Sequence, residues 1–261
     1  MKLLFIGDIV GKPGRSSVAQ WLPQVREEFE IDIVLANAEN AAGGLGATPE
    51  ILGALKDLGI DGFTLGNHTW RKQAIIAALD GMPEIVRPAN YPAGVPGRGH
   101  CVLRLKDGRK VGLVNLLGRV FMEPFACPFA CADEVLETLQ QETPLIVVDM
   151  HAEATSEKMA LGWHLDGRCT AVLGTHTHVQ TADERILPDG TAYLTDVGMC
   201  GPIDSVIGSR REPVIEKFRT GLPRKFEVAK GAAQFCGVVV KADDTTGRAQ
   251  SITRVQRRDL N

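Results

Sequence analysis

The chain lacks long apolar segments at its start: the run Leu3 to Ile6 is halted at once by Gly7-Asp8. A run that short forms neither a signal-peptide core nor a membrane-spanning helix, so a cytoplasmic protein is expected. It also lacks a charge surplus. A net charge of -3 over 261 residues argues against broad electrostatic attraction to nucleic acid or to an anionic membrane, and leaves a small charged substrate fully compatible. There is no CxxC pair. The six cysteines, at 101, 127, 131, 169, 200 and 236, are scattered through a chain large enough to fold without staples, and they read as reduced and mostly buried. Cys127 and Cys131 have no nearby histidine and make only half of a thiolate metal site. Gly43-Gly44-Leu45-Gly46 has neither the lysine of a P-loop nor the spacing of a dinucleotide fingerprint, and reads as a flexible turn.

What is present is an alternation of strands and helices. Residues 2–6 and 31–36 are short aliphatic runs, each followed by a polar turn, which is how buried parallel strands look from sequence. Helical spacing follows over 16–29 and 49–58, with Thr48 placed to cap the second helix and Pro49 at its first position. A strand at 61–65 and a helix at 71–79 continue the pattern, which implies right-handed crossovers and a parallel sheet. Asp107-Gly108 signals a hairpin between 101–105 and 110–115. The second half holds a helix near 132–142, a strand at 145–148, a helix near 156–164 and a strand at 170–173. A turn at Asp189-Gly190 and alternating runs at 192–196, 226–228 and 235–241 suggest antiparallel strands closing a second sheet. The segment 205–224 is the least regular. At this length one domain over 1–261 is expected, a two-sheet sandwich with helices outside.

The side chains able to bind metal fall just past the strand ends: Asp8, Glu39, Asn40, Asn67, His151, His176 and His178. Open α/β sheets gather their sites there because the loops converge on one crevice. Two carboxylates, two amides and three imidazoles make a mixed oxygen and nitrogen set that suits a pair of hard-to-borderline divalent cations. One cation would be held by Asp8, Glu39, Asn40 and His178, and the other by Asn67, His151 and His176, with Glu39 bridging both. Such a pair acidifies a shared water and stabilises charge on both sides of an in-line displacement. His68 directly follows Asn67, so it stands beside the metals without being needed as a ligand and is placed to protonate the departing oxygen. Two divalent ions less the charges of Asp8 and Glu39 leave two positive charges. A bridging hydroxide and a phosphodiester monoanion neutralise them, whereas a phosphomonoester dianion would leave the site negative. The balance favours a diester, a preference that a trivalent ion would reverse.

The order Asp, acidic bridge, Gly-Asn-His, lone His, Gly-x-His-x-His resembles that of the calcineurin-like metallophosphoesterases. Gly7-Asp8-Ile9-Val10-Gly11, Asn37-Ala38-Glu39-Asn40, Gly66-Asn67-His68-Thr69, His151 to Lys158 and Thr195-Asp196-Val197-Gly198-Met199 resemble the YmdB-type branch over nearly the whole chain. Val10 stands where the wider superfamily has a histidine, with Asn40 in its place. Glu39 replaces the usual aspartate and Thr69 a frequent acid, and all these departures fit the branch. The resemblance implies a four-layer α/β/β/α sandwich and two divalent or mixed-valence ions, iron or manganese, with zinc also compatible. It implies phosphodiesterase activity extending to 2′,3′-cyclic nucleotides, in which His68 protonates the leaving 2′ oxygen, and a link to bacterial RNA turnover.

Two rival readings are a phosphomonoesterase and a metal-containing regulatory protein acting with an RNA-processing partner. The second would draw on the basic stretch Arg210, Arg211, Lys217, Arg219, Arg224 and Lys225, which is diluted by Glu212 and Glu216 and reads more simply as a solvated face. A homo-oligomer is expected, with the loops around that stretch available for self-contact. Arg119 and Asp149 lie near strand ends as supporting candidates, while His100 and His164 have no ligating company.

Overall fold

The computed structural model describes residues 1–258, so positions 259–261 of the expected 1–261 domain lie outside the described residues. The first half runs β1 (Lys2–Ile6), β2 (Asp8–Ile9), α1 (Gly11–Phe29), β3 (Ile33–Asn37), α2 (Pro49–Asp57), β4 (Gly62–Thr64), α3 (Gln73–Ala78) and β5 (Ile85–Val86). Next come β6 (His100–Arg104), β7 (Lys110–Leu117), α4 (Pro128–Gln140), β8 (Ile146–His151), α5 (Thr155–His164) and β9 (Ala171–Thr175). The chain continues through β10 (Arg185–Ile186), β11 (Ala192–Leu194), β12 (Met199–Pro202), α6 (Arg211–Thr220), β13 (Ala233–Ala242) and β14 (Ala249–Arg258). One sheet has the order β2-β12-β13-β1-β3-β4-β5, with β14 on β13, and the other β10-β11-β9-β8-β7-β6.

Successive side chains along the strands point to opposite faces and so sort into three apolar clusters. Leu4, Ile6, Val34 and Ala36 pack against Val18, Leu22, Leu52 and Leu55 of α1 and α2. Leu3, Phe5, Ile33 and Leu35 point the other way and meet Val111, Leu113, Val147 and Leu173 of the facing sheet. Val114, Leu116, Val148 and Val172 cover the far side of that sheet and receive Ala132, Leu136, Leu139 and Leu161 from α4 and α5. The result is the expected α/β/β/α layering. Because the inner strands are buried on both faces, their sequences read as continuous apolar runs, and each buried aliphatic side chain contributes roughly 1.5–3 kcal/mol.

Several local expectations match the structure closely. Ile51 N–H donates to Thr48 Oγ1 at 3.4 Å, capping α2, and β6 and β7 pair antiparallel across the Asp107-Gly108 turn. Others need correction. The run at 192–196 yields β11, which pairs antiparallel with β10 across the Asp189-Gly190 turn, as expected, but parallel with β9 on its other side. The run at 235–241 lies in β13, which joins the first sheet antiparallel to β1, with Val238 opposite Phe5. Residues 226–228 form no strand, only a single bridge from Val228 to Ser209. A short alternating run specifies a strand without specifying its partner. Both α6, inside the segment read as irregular, and β14 went unanticipated. Val214 is the one buried residue of α6, whose few apolar side chains share a face that leaves Ile215 and Phe218 exposed, and β14 is an edge strand with several exposed polar residues.

Among the described residues no helix is long and apolar enough to cross a membrane. All six cysteines are free, and burial pushes the thiols of Cys101 and Cys169 up to about 12, so they are inert at neutral pH.

Candidate metal centre

The strands β3, β4, β8 and β9 end at one edge of the sandwich, and the turns beyond them hold the polar side chains. There the structure brings all eight predicted site residues together. One group converges on Glu39 Oε1 and His151 Nε2, which lie 3.2 Å apart. Asn67 Oδ1 is 2.9 Å and His176 Nδ1 3.1 Å from that same His151 nitrogen. Glu39, His151 and His176 present ligand atoms all within 4.8 Å of one another. A second group surrounds Asn40 Nδ2, which lies 3.5 Å from Asp8 Oδ1, 3.2 Å from His178 Nε2 and 3.1 Å from Glu39 Oε1. Glu39 Oε1 therefore belongs to both groups. Asp8, Glu39, Asn40 and His151 are fully buried, or within one per cent of it.

Contacts behind each imidazole set which nitrogen faces the cluster. His178 Nδ1 donates to the Ile207 carbonyl at 2.9 Å, leaving Nε2 toward Asp8 and Asn40. His151 Nδ1 lies 2.8 Å from Thr175 Oγ1, whose hydroxyl donates to Asp149 Oδ1 at 2.6 Å. Asp149 also accepts from Asn37 Nδ2 at 3.0 Å and from the Thr64 hydroxyl. Relays of this kind orient ligating histidines and raise their basicity. His176 turns its Nε2 to Glu153, 3.2 Å away. His68 Nδ1 lies 2.7 Å from Asn40 Oδ1 and 3.1 Å from Glu39 Oε1, its backbone N–H donates to Glu39 Oε2 at 2.8 Å, and the ring is partly exposed.

His176 and His178 both adopt positive φ, 94° and 65°, a conformation that costs free energy and must be held by its surroundings. His176 N–H donates to Asp8 Oδ2 at 3.1 Å. Thr177, between the two histidines, donates its N–H and its hydroxyl to Asp196 Oδ2 at 3.1 and 2.7 Å. Gly66 serves the cluster by what it omits: a Cβ there would lie 2.4 Å from Glu39 Oε2 and 2.5 Å from His151 Nε2.

Burial opposes every charge in the cluster, yet the groups stabilise one another. Burial would raise Asp8, but His178 brings it below the usual carboxylate value. Glu39 is likewise held well below its ordinary value, against burial, by His151 and His68. Burial lowers His151, but the Glu39 carboxylate overcomes it and raises the imidazole to about 9. His176 is pushed down to about 3 by burial and by the charge of His151. Oxygen and imidazole donors without thiolate, packed this densely around two acids, fit divalent cations of hard to borderline character.

Asn37, Thr64, Thr175 and Ile207 were not singled out from sequence as supporting residues, because hydroxyls, amides and a carbonyl at strand ends carry no distinctive spacing. Asp149 does stand behind His151. Arg119 does not reach the cluster: its guanidinium contacts Cys127 Sγ at 3.6 Å, and its backbone N–H bonds Glu157.

Two facing sheets flanked by helices, with carboxylates, amides and imidazoles gathered at the strand ends, are the arrangement of the calcineurin-like metallophosphoesterase class. Within that class, residues 4–255 match the YmdB-like protein family, and the chain belongs to it. It is 49% identical over 255 residues to a 2′,3′-cyclic-nucleotide 2′-phosphodiesterase of Bacillus subtilis (strain 168), covering 98% of this chain and 96% of that one. The fold superposes on a crystal structure of a hypothetical protein from Thermus thermophilus with a TM-score of 0.93 and 42% identity, over 100% of both chains. It also superposes on a crystal structure of a novel phosphatase from Mycoplasma pneumoniae, at TM-score 0.93 and 37% identity, covering 99% and 93% of the two chains.

Proposed function

We propose that the chain is a dinuclear metal-dependent phosphodiesterase that hydrolyses 2′,3′-cyclic nucleotides, or related small phosphodiesters, by cleaving the 2′-O bond. The observation that carries this reading is Glu39 Oε1 standing in two donor groups at once, with His68 beside it. Asp8, Asn40 and His178 would hold one ion and Asn67, His151 and His176 the other, with Glu39 shared. Iron or manganese suits these donors, and zinc is compatible. Bound there, the ions would supply an activated water and positive charge against the phosphoryl oxygens.

The remaining work falls to the chain itself. Asn40 and Glu39 engage Nδ1 of His68, which leaves Nε2 without a hydrogen-bond partner among the described residues. The ring is thereby oriented to deliver a proton to a leaving 2′ oxygen. The name of the Bacillus subtilis relative supports the substrate class. The same reading takes 1–261 as one domain, cytoplasmic and self-associating around α6, where Ile215, Phe218 and Leu222 are exposed.

The test is turnover of 2′,3′-cyclic AMP by the metal-loaded protein, beside elemental analysis. Two metal equivalents per chain, release of 3′-AMP and loss of turnover in His68→Ala with metals retained are expected. No 3′-AMP from wild type, or unimpaired turnover in that variant, would overturn the mechanism. A rate on phosphomonoesters exceeding that on diesters would favour the phosphomonoesterase alternative.

A further inference from the structure

A cavity of about 720 Å³ lies beside α1, away from the metal-centre side chains. Its walls include Lys12 and Ser17 of that helix and Lys225, Phe226, Val228 and Lys230 from the segment after α6. None of the three lysines has an ion-pair or hydrogen-bond partner among the described residues. The one acid in the lining, Glu227, lies 3.8 Å from Arg210 and is partly neutralised by it. Ser17 is 1% exposed, and its Oγ, with no hydrogen-bond partner among the described residues, lies behind the wall and is not open to the cavity.

The ammonium groups of Lys12, Lys225 and Lys230, all three exposed residues, make this wall positive and attractive to an anion, while Phe226 and Val228 offer an apolar surface beside them. Lys217 Nζ already sits 5.1 Å from the centroid of the Phe226 ring. A flat base against the aromatic ring with phosphate on the lysines would satisfy both halves, and the volume accommodates a ligand of that size. The cavity also shares backbone with the metal centre. Gly11 N–H donates to the Asn40 carbonyl at 2.9 Å and Gly44 N–H to the same oxygen at 3.1 Å, so Lys12 and Gly43 of the wall adjoin the segment that carries Asn40.

We propose that this cavity binds a nucleoside monophosphate unit, either a free nucleotide or the flanking nucleotide of an oligonucleotide whose cyclic end occupies the metal centre. The second source rests on the phosphodiesterase reading, whereas the site itself does not.

Equilibrium dialysis of 5′-AMP against the full-length, metal-loaded protein tests it. The triple variant Lys12→Ala, Lys225→Ala, Lys230→Ala is expected to weaken binding by at least about tenfold, with unchanged melting. Equal AMP affinity in wild type and the triple variant overturns the proposal. A second arm compares kcat/KM for a triadenylate ending in a 2′,3′-cyclic phosphate with that for 2′,3′-cyclic AMP. A preference of about tenfold for the triadenylate, lost in the triple variant while turnover of the mononucleotide is kept, assigns the cavity to a substrate strand. No preference, with AMP binding lost in the triple variant, assigns it to a free nucleotide. Absence of turnover on both substrates would sink the phosphodiesterase reading and leave the dialysis result to decide the site.

Discussion

Lys158 Nζ and Asp196 Oδ2 lie 2.7 Å apart with both side chains fully buried, and the same carboxylate oxygen takes both donors of Thr177 between His176 and His178. An ion pair under the histidine loop thus fixes the loop's backbone. Lys158→Met should leave Asp196 charged and unpaired and destabilise the fold by about 3–5 kcal/mol. Urea unfolding measures the loss, and elemental analysis should show less than two metals per chain. Wild-type stability and full metal content together would show that the pair does not support the loop.

Gly66→Ala introduces a methyl where Glu39 Oε2 and His151 Nε2 already stand. Overpacking of this kind costs about 1–3 kcal/mol, and the group around His151 bears the displacement. The expected outcome is a drop in metal content at that position and loss of cyclic-nucleotide turnover, read by elemental analysis and by 3′-AMP release.

Thr175→Val keeps the side-chain shape and removes the hydroxyl that joins His151 Nδ1 to Asp149. Metal affinity should fall by about 10–100-fold, as for other residues that orient ligating histidines. Competition against a chelator of known affinity gives the number. An unchanged affinity would mean that packing alone orients the His151 ring.

His100, half-buried on β6, is held below its ordinary value of 6.5 by burial and by the charges of Arg87 and Arg98. Its neutral form is therefore favoured in the fold. Above pH 6.5 both folded and unfolded states carry it neutral, so it adds no pH dependence. As pH falls below 6.5 the unfolded chain takes the proton first and stability declines. The melting temperature of wild type should drop more between pH 7 and pH 5 than that of His100→Gln, with parallel curves as the contrary outcome.

The positions of the strands and most helices were legible because their residues interact locally. The unbroken aliphatic run around Val34 and Leu35 declares a strand buried on both faces, the two side chains entering different clusters, and Thr48 and Pro49 announce a helix start by backbone chemistry. The ligand candidates were legible because each interrupts an apolar run at a strand end. Legibility failed where the decisive contact is distant. Lys158 and Asp196 stand in two of the segments that carry the family resemblance, yet nothing in their spacing pairs them, and only the fold buries one against the other. The run at 235–241 reads as a strand, and nothing in it names β1 as its neighbour. The apolar side chains of α6 are only Val214, Ile215 and Phe218 among charged neighbours, too few for their shared face to announce a helix.

The sequence by itself determined the layered α/β class, the order of carboxylates, amides and imidazoles, and the family to which the chain belongs, since all three follow from residue types at fixed spacing. Tertiary structure alone decided that Glu39 Oε1 stands in two donor groups, that Asp149 reaches His151 through Thr175, and that Lys12, Lys225 and Lys230 share one cavity with Ser17. These relationships join residues tens to hundreds of positions apart, and their geometry exists only once the sheets have packed and the strand ends have met at one edge.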